Sequence, residues 1–232
     1  MHTVAEAAER GLRALAGYVR RAPGTYVWLA VLAVTTAVMN HLTDAELRHL
    51  LGERSTNLHH LAEDPLHVLF SSALWIDGGS WFAYFVLFNL FHVPAERWLG
   101  TLRWLGVAVL AHVGATYLSE GVLYWAIQHG DAPARAVNTL DVGVSYALAG
   151  VVAVLTYRIA RPWRWLYLAG VLAVYAAPLL FSEVTFTEVG HLSAVLIGLA
   201  CYPLTRSRPD TWNPMTSARA GMRRLRRQRS PA

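Results

Sequence analysis

The stretch Asn138 to Leu155, NTLDVGVSYALAGVVAVL, decides how the rest of the chain is read. It is apolar almost throughout, yet it places Ser145 in its first turns, with Gly143 two residues before and Gly150 five after. A run of this kind reads as a helix enclosed by apolar material. The serine hydroxyl therefore needs a reason to be there.

The surrounding composition sets the solvent. Of 232 residues, 55% are hydrophobic and only 15% charged, where a soluble domain carries about a quarter charged residues. Several apolar runs approach the roughly 17–25 residues that cross a bilayer. The chain reads as an all-α, multi-pass membrane protein. Every basic side chain is arginine, which reads as codon bias of a GC-rich bacterial genome. The single cysteine, Cys201, allows no intrachain disulfide. The first apolar run begins near Tyr26, and no A-x-A site follows it, so it is expected to remain as a membrane helix rather than be cleaved.

Six spans are predicted: Tyr26–Leu42, Trp81–Val93, Leu102–Leu118, Val142–Tyr157, Trp165–Phe181 and Val189–Leu204. The apolar run Leu66–Ile76 is expected to re-enter the membrane or lie on it. Residues 1–24 read as an amphipathic basic arm, 25–205 as the membrane domain and 206–232 as a basic tail.

Arginine placement gives a predicted orientation. Arg10, Arg13, Arg20 and Arg21 precede the first span. Arg97 and Arg103 lie between the second and third, Arg158, Arg161 and Arg164 between the fourth and fifth, and eight arginines follow the sixth. The alternate loops are arginine-poor and hold acids, among them Asp44, Glu63, Glu120, Asp141, Glu183 and Glu188. Both termini are expected in the cytoplasm, and the plasma membrane is the expected location. The basic tail is what topology and anionic membrane lipids require, so no nucleic-acid partner is implied. His41, His49, His59 and His60 match no metal-ligand spacing and read as solvated histidines of a long polar loop. No metal or cofactor is expected.

Orientation then fixes depth. The fourth span starts on the outer side at Asp141, a candidate N-cap for the Val144 amide, which puts Ser145 about 6 Å into the helix. The sixth starts near Glu188, which puts His191 about 4–5 Å in. A serine and a histidine on separate helices thus share a level. His191 shares a stripe with Ala194, Gly198 and Cys201; Ser145 is followed by Ala147, Ala149 and Gly150. Small residues let membrane helices approach closely, and a base must come within about 2.6–3.2 Å of a hydroxyl to remove its proton. Serines and histidines also serve plain helix–helix contacts, so spacing and depth leave both roles open.

These residues, in this order, resemble the rhomboid intramembrane proteases. GVSYALAG, with Gly143, Ser145 and Gly150, is similar to the family's G-x-S opening of the fourth helix. GHLSAVLIG supplies a histidine early in the sixth, His191, with Gly198 beyond it. AERWLG, with Glu96 and Arg97, resembles the junction after the second helix, and TLRWLGVAVLAHVGA the third. The resemblance runs from about Leu66 to Leu204. It implies a six-helix rhomboid-like bundle and an intramembrane serine endopeptidase acting on transmembrane protein substrates, with Ser145 as nucleophile and His191 as general base and then acid.

Departures accompany the likeness. Tyr146 stands where the family has glycine and is expected to narrow the approach to the serine. Ala149 stands where the family often has an aromatic under the histidine. The second-helix H-x-x-x-N places fall on Ser80 and Tyr84, or on Trp81 and Phe85. Tyr84 is the candidate oxyanion donor, with an interfacial tyrosine as the alternative; Asn89 lies about 12 Å down that helix. His112 is expected to hydrogen-bond across the bundle, Pro178 to kink the fifth helix, and Trp75, Trp81, Trp104 and Trp163 to sit at the membrane interfaces. The second functional reading is a catalytically silent relative that binds transmembrane clients. A small-solute transporter finds no repeat or paired broken helices to support it.

Overall fold

The computed structural model describes residues 2–78, 80–181, 185–208 and 211–217. Glu183 and the tail arginines from position 219 onward lie outside them. Regular structure among the described residues is helical, apart from one isolated bridge between Ile159 and Trp212.

Two helices open the chain, α1 (His2–Val19) and α2 (Pro23–Met39), joined at a bend of 96°. Pro23 at the first position of α2 fits this break, because proline starts helices and cannot continue one. The segment expected to be a polar loop folds instead. It forms α3 (Asp44–Arg54), opened by a Thr43/Glu46 capping box, and α4 (Leu58–Glu63), capped by Asn57. His49 and His59 stay exposed beside Glu53 and Glu63, one turn on, while His60 is partly covered. Next comes α5 (Pro65–Ser72), with Val68, Leu69, Ser71 and Ser72 turned inward and Leu66 and Phe70 outward.

The second apolar element is longer than expected. It runs as α6 (Trp81–Leu87), a π turn over Phe88–His92, and α7 (Val93–Leu99). The widened turn leads into Pro94, whose ring and missing N–H a regular helix would not accommodate. The third element, α8 (Thr101–His129), has 29 residues and spans about 43 Å. Then follow α9 (Val144–Val154) with a 3₁₀ extension to Arg158, α10 (Trp163–Phe181), α11 (Phe186–Ala200) and the short α12 (Tyr202–Thr205).

By length and apolarity alone, α8 and α10 can each cross a membrane, and α1 with α2 qualifies only as a bent pair. Helices α9 (with its extension) and α11 are shorter apolar elements. The reason lies in their position. Helix α9 is buried along nearly its whole length between α8 and α11, so it meets protein and not lipid. Helix α10, by contrast, buries only Val171 and presents apolar side chains outward.

Two glycines and an alanine set the central packing. A Cβ on Gly198 of α11 would stand 2.8 Å from the Gly150 Cα and 2.9 Å from its carbonyl carbon. One on Gly150 of α9 would run into the Ala111 Cβ of α8. Helices α9 and α11 touch backbone to backbone here, and α8 meets them through the Ala111 Cβ, as small residues permit.

The other end of the bundle is tied by polar groups. The Glu96 carboxylate, 1% exposed, accepts the Gly24 amide (2.9 Å), the Thr25 amide and hydroxyl (2.7 Å each) and the Thr101 hydroxyl (2.8 Å). It satisfies amides at the start of α2, where a negative charge also meets the helix dipole. Arginines close the helix ends nearby: Arg208 donates to the Leu99 carbonyl, Arg103 to those of Leu204 and Arg206, and Arg164 to that of Tyr157.

Three expectations are corrected. Trp104 does not face outward as an anchor: it is 2% exposed, donates to His92 Nδ1 at 3.1 Å and meets Trp28 edge-on. Glu120 is not in a loop; α8 continues past Leu118, and Glu120 is 1% exposed on its inner face. Asp141 does not cap α9, whose N-cap is Gly143 with no side-chain bond. Asp141 instead docks on the loop after α3, where the Ser55 hydroxyl accepts its amide at 2.8 Å and its carbonyl accepts the Thr56 amide at 2.9 Å.

Candidate active site

Ser145 occupies the first turn of α9, and His191 lies in the second turn of α11, which opens with a Thr185/Glu188 capping box. The structure brings the two together: His191 Nε2 is 3.0 Å from Ser145 Oγ. Both side chains are partly exposed. The distance is within reach for proton transfer from hydroxyl to imidazole. Among the described residues no carboxylate bonds His191 Nδ1, so the arrangement is a dyad.

Aromatic rings hold the imidazole. Tyr146 meets it edge-to-face at 5.1 Å between centroids, and Tyr175 of α10 approaches at 6.0 Å. Tyr146 was expected to narrow the approach to Ser145. It is fully buried, points away from the surface, and packs against the α11 backbone, where a Cβ on Gly190 would stand 2.5 Å from its Cζ. An aromatic one residue past the serine thus packs on the histidine, although Ala149 is small.

Gly143 has a steric reason of its own. A Cβ there would overlap the His112 ring. That ring links α8 to α5, its Nε2 donating to the Leu69 carbonyl at 2.8 Å with the Ser72 hydroxyl 3.3 Å away. The start of α9, and with it Ser145, is seated on this cross-bundle contact.

Backbone amides lie at the start of α9 beside the dyad. The first-turn amides of α9 have no side-chain cap, which leaves them open in the manner of any helix start. From the second apolar element the structure offers less. The Tyr84 hydroxyl makes no hydrogen bond to Ser145 or His191; its ring packs on Phe88, 6.4 Å away, and against the cluster containing Tyr146. Ser80 caps α6 by accepting the Phe82 amide, and the Trp81 indole donates to the Leu29 carbonyl. Asn89 accepts from the Tyr26 hydroxyl and donates to the Phe85 carbonyl, so both ends of its amide are engaged.

Sequence reasoning did not single out the roles of Tyr146 and Tyr175, nor the polar set Thr116, Ser119 and Glu120 on α8. The usable signal was Glu120 itself, a carboxylate at helical spacing after an apolar run. Among the described residues no cluster of His, Cys, Asp and Glu is arranged to hold a metal ion.

A helical bundle with apolar outer faces and a Ser–His pair between two central helices defines an integral membrane protein with a candidate hydrolytic centre. The model of the rhomboid-like protein family matches residues 17–211. The chain belongs to that family. Comparison with curated proteins and with solved structures gave no match.

Proposed function

We propose that the protein is an intramembrane serine endopeptidase that cleaves transmembrane segments of other membrane proteins. The single observation that carries this reading is the 3.0 Å contact between His191 Nε2 and Ser145 Oγ. In the proposed reaction Ser145 Oγ attacks the substrate carbonyl carbon while His191 Nε2 takes the hydroxyl proton. The first-turn amides of α9 hold the oxyanion, a contribution commonly worth about 10²–10³ in rate per donor. The tetrahedral intermediate collapses as His191 gives its proton to the departing amine. Water, deprotonated by the same nitrogen, then releases the acyl group from Ser145.

The reading extends to the membrane. The six apolar elements α2, α6–α7, α8, α9, α10 and α11 serve as six spans in the plasma membrane, with both termini cytoplasmic and the dyad toward the outer side. Substrate helices pass between α6 and α10, whose Tyr84 and Tyr175 both pack on the cluster containing Tyr146, Tyr175 lying 6.0 Å from the His191 ring. No cofactor takes part.

One observation favours a second reading, a catalytically silent member that binds transmembrane clients: α6 presents no free amide or imidazole toward Ser145. Labelling of the folded protein in detergent with a fluorophosphonate separates the two. The protease reading expects labelling that is lost in Ser145→Ala and in His191→Ala. Wild-type labelling no higher than that of Ser145→Ala would give the client-binding reading.

A further inference from the structure

Behind the dyad, on the side away from its partly exposed face, lies a set of buried polar groups that the proposed reaction does not use. Glu120 is 1% exposed, and neither carboxyl oxygen has a hydrogen-bond partner in the chain. Tyr146 Oη and Thr116 Oγ1, in residues with no exposure, are likewise unpartnered. These groups converge from different elements. Glu120, Ser119 and Thr116 come from α8, and Asp141 from the segment leading into α9. The Tyr146 hydroxyl is turned toward Asp141 and Ser119, with Glu120 nearby, yet it meets none of them in a well-formed hydrogen bond.

Such an arrangement has a physical requirement. A buried carboxyl or phenol left unbonded carries its full desolvation cost, and native structures meet that cost with a partner. No ion pair to a basic side chain serves either carboxyl among the described residues. Where polar groups face one another beyond bonding distance in a buried site, water bridges them with two to four hydrogen bonds.

We infer that Glu120, Asp141, Thr116 and the Tyr146 hydroxyl enclose a buried hydration site that anchors the Tyr146 ring and thereby positions His191. The chain of contacts is short. The anchored ring lies edge-to-face on the His191 imidazole at 5.1 Å and directly on the backbone of Gly190, the preceding residue. Tyr146 also follows Ser145 in sequence, so one side chain registers the nucleophile's helix against the base. Tyr146 and Glu120 are positioning residues. Neither touches the reacting atoms. The inference deepens the protease reading and rests on it for the catalytic consequence, but the geometry of His191 can be read without catalysis.

The test uses Tyr146→Phe, Glu120→Leu and Glu120→Gln in the full-length protein, with three readouts. These are the fluorophosphonate labelling rate, the imidazole ¹⁵N resonances of His191 (assigned by their loss in His191→Ala), and the thermal midpoint. Tyr146→Phe keeps the ring and removes only the anchor. It is expected to slow labelling at least about tenfold and to shift or broaden the His191 resonances, while the midpoint stays near wild type. Glu120→Leu is expected to do the same with a midpoint at or below wild type, since it takes a hydrogen-bonding partner from the buried water. Glu120→Gln retains hydrogen-bonding capacity and is expected to remain within about threefold of wild type. Unaltered labelling and unaltered His191 resonances in both Tyr146→Phe and Glu120→Leu would overturn the inference. Should wild type itself fail to label, the protease reading falls. The resonances then decide alone: a shift in Tyr146→Phe supports the positioning role, and no shift removes it.

Discussion

Replacing Gly198 by alanine tests the geometry at its narrowest point. The new Cβ would stand 2.8 Å from the Gly150 Cα and 2.9 Å from its carbonyl carbon, where ordinary contact is 3.4–4 Å. These are backbone atoms and cannot rotate aside, so α9 and α11 must separate by roughly 1 Å or the chain must carry the strain. Ser145 lies five residues before Gly150, and His191 seven before Gly198, about 8 and 10 Å along their helices. Helices are stiff over that length, so the opening reaches the dyad. The Oγ–Nε2 distance then grows from 3.0 Å to about 4 Å, beyond the roughly 2.6–3.2 Å at which a base removes a hydroxyl proton. Fluorophosphonate labelling is expected to fall at least about 10²-fold, the scale of a 1 Å misplacement. Overpacking should also cost roughly 1–3 kcal/mol, at about 2–4 °C of thermal midpoint per kcal/mol for a chain of this size. Gly170→Ala is the control, because nothing lies within 4 Å of a Cβ there. A Gly198→Ala protein that labels at the wild-type rate with an unchanged midpoint would refute the close-contact account.

Burial pushes the Asp141 carboxyl up to about 6 from its ordinary 3.8. The folded chain therefore holds that proton more tightly than the unfolded one. The stability this contributes, roughly 3 kcal/mol, is complete below pH 3.8 and is lost as the pH rises through 6. Asp141→Asn removes the titration, so its thermal midpoint should gain on wild type between pH 4 and 7; parallel midpoint curves would contradict this. Glu96→Ala strands two amides and two hydroxyls at the start of α2 and α8. At about 1–3 kcal/mol for each buried group left unbonded, the folded protein should fall sharply in yield or midpoint. Glu96→Gln, which keeps one carbonyl oxygen, should recover part of that loss, and a Glu96→Ala midpoint equal to wild type would remove Glu96 from the packing account.

Much of the architecture was legible because it depends on local quantities. Runs of apolar residues broken by proline, glycine and charge mark helices whatever surrounds them, and the six elements appear in the expected order. Ser145, His191 and the glycines Gly143, Gly150 and Gly198 were legible for a related reason: a hydroxyl, an imidazole and missing side chains are rare in such runs. The segment between His41 and Asp64 was misread as a loop because its helices are short and polar, held by the Thr43 and Asn57 caps rather than by an apolar stripe.

The facing of side chains was not legible. In a membrane helix the outer surface is as apolar as the inner, so periodicity loses its power to separate core from lipid. Trp104 therefore looked like an interfacial anchor until α2 and the π turn closed around it. Tyr146 looked like an obstruction at the serine until α11 placed Gly190 against its ring. Sequence alone determined that the chain is a helical membrane protein with a serine and a histidine near the starts of two apolar helices, because helix spacing and hydropathy act locally. Only the tertiary structure decided that the two side chains meet, which ring supports the imidazole and which carboxyls lie behind it. Those outcomes depend on how three helices rotate about their own axes, and that rotation is fixed by the contacts among Ala111, Gly150 and Gly198.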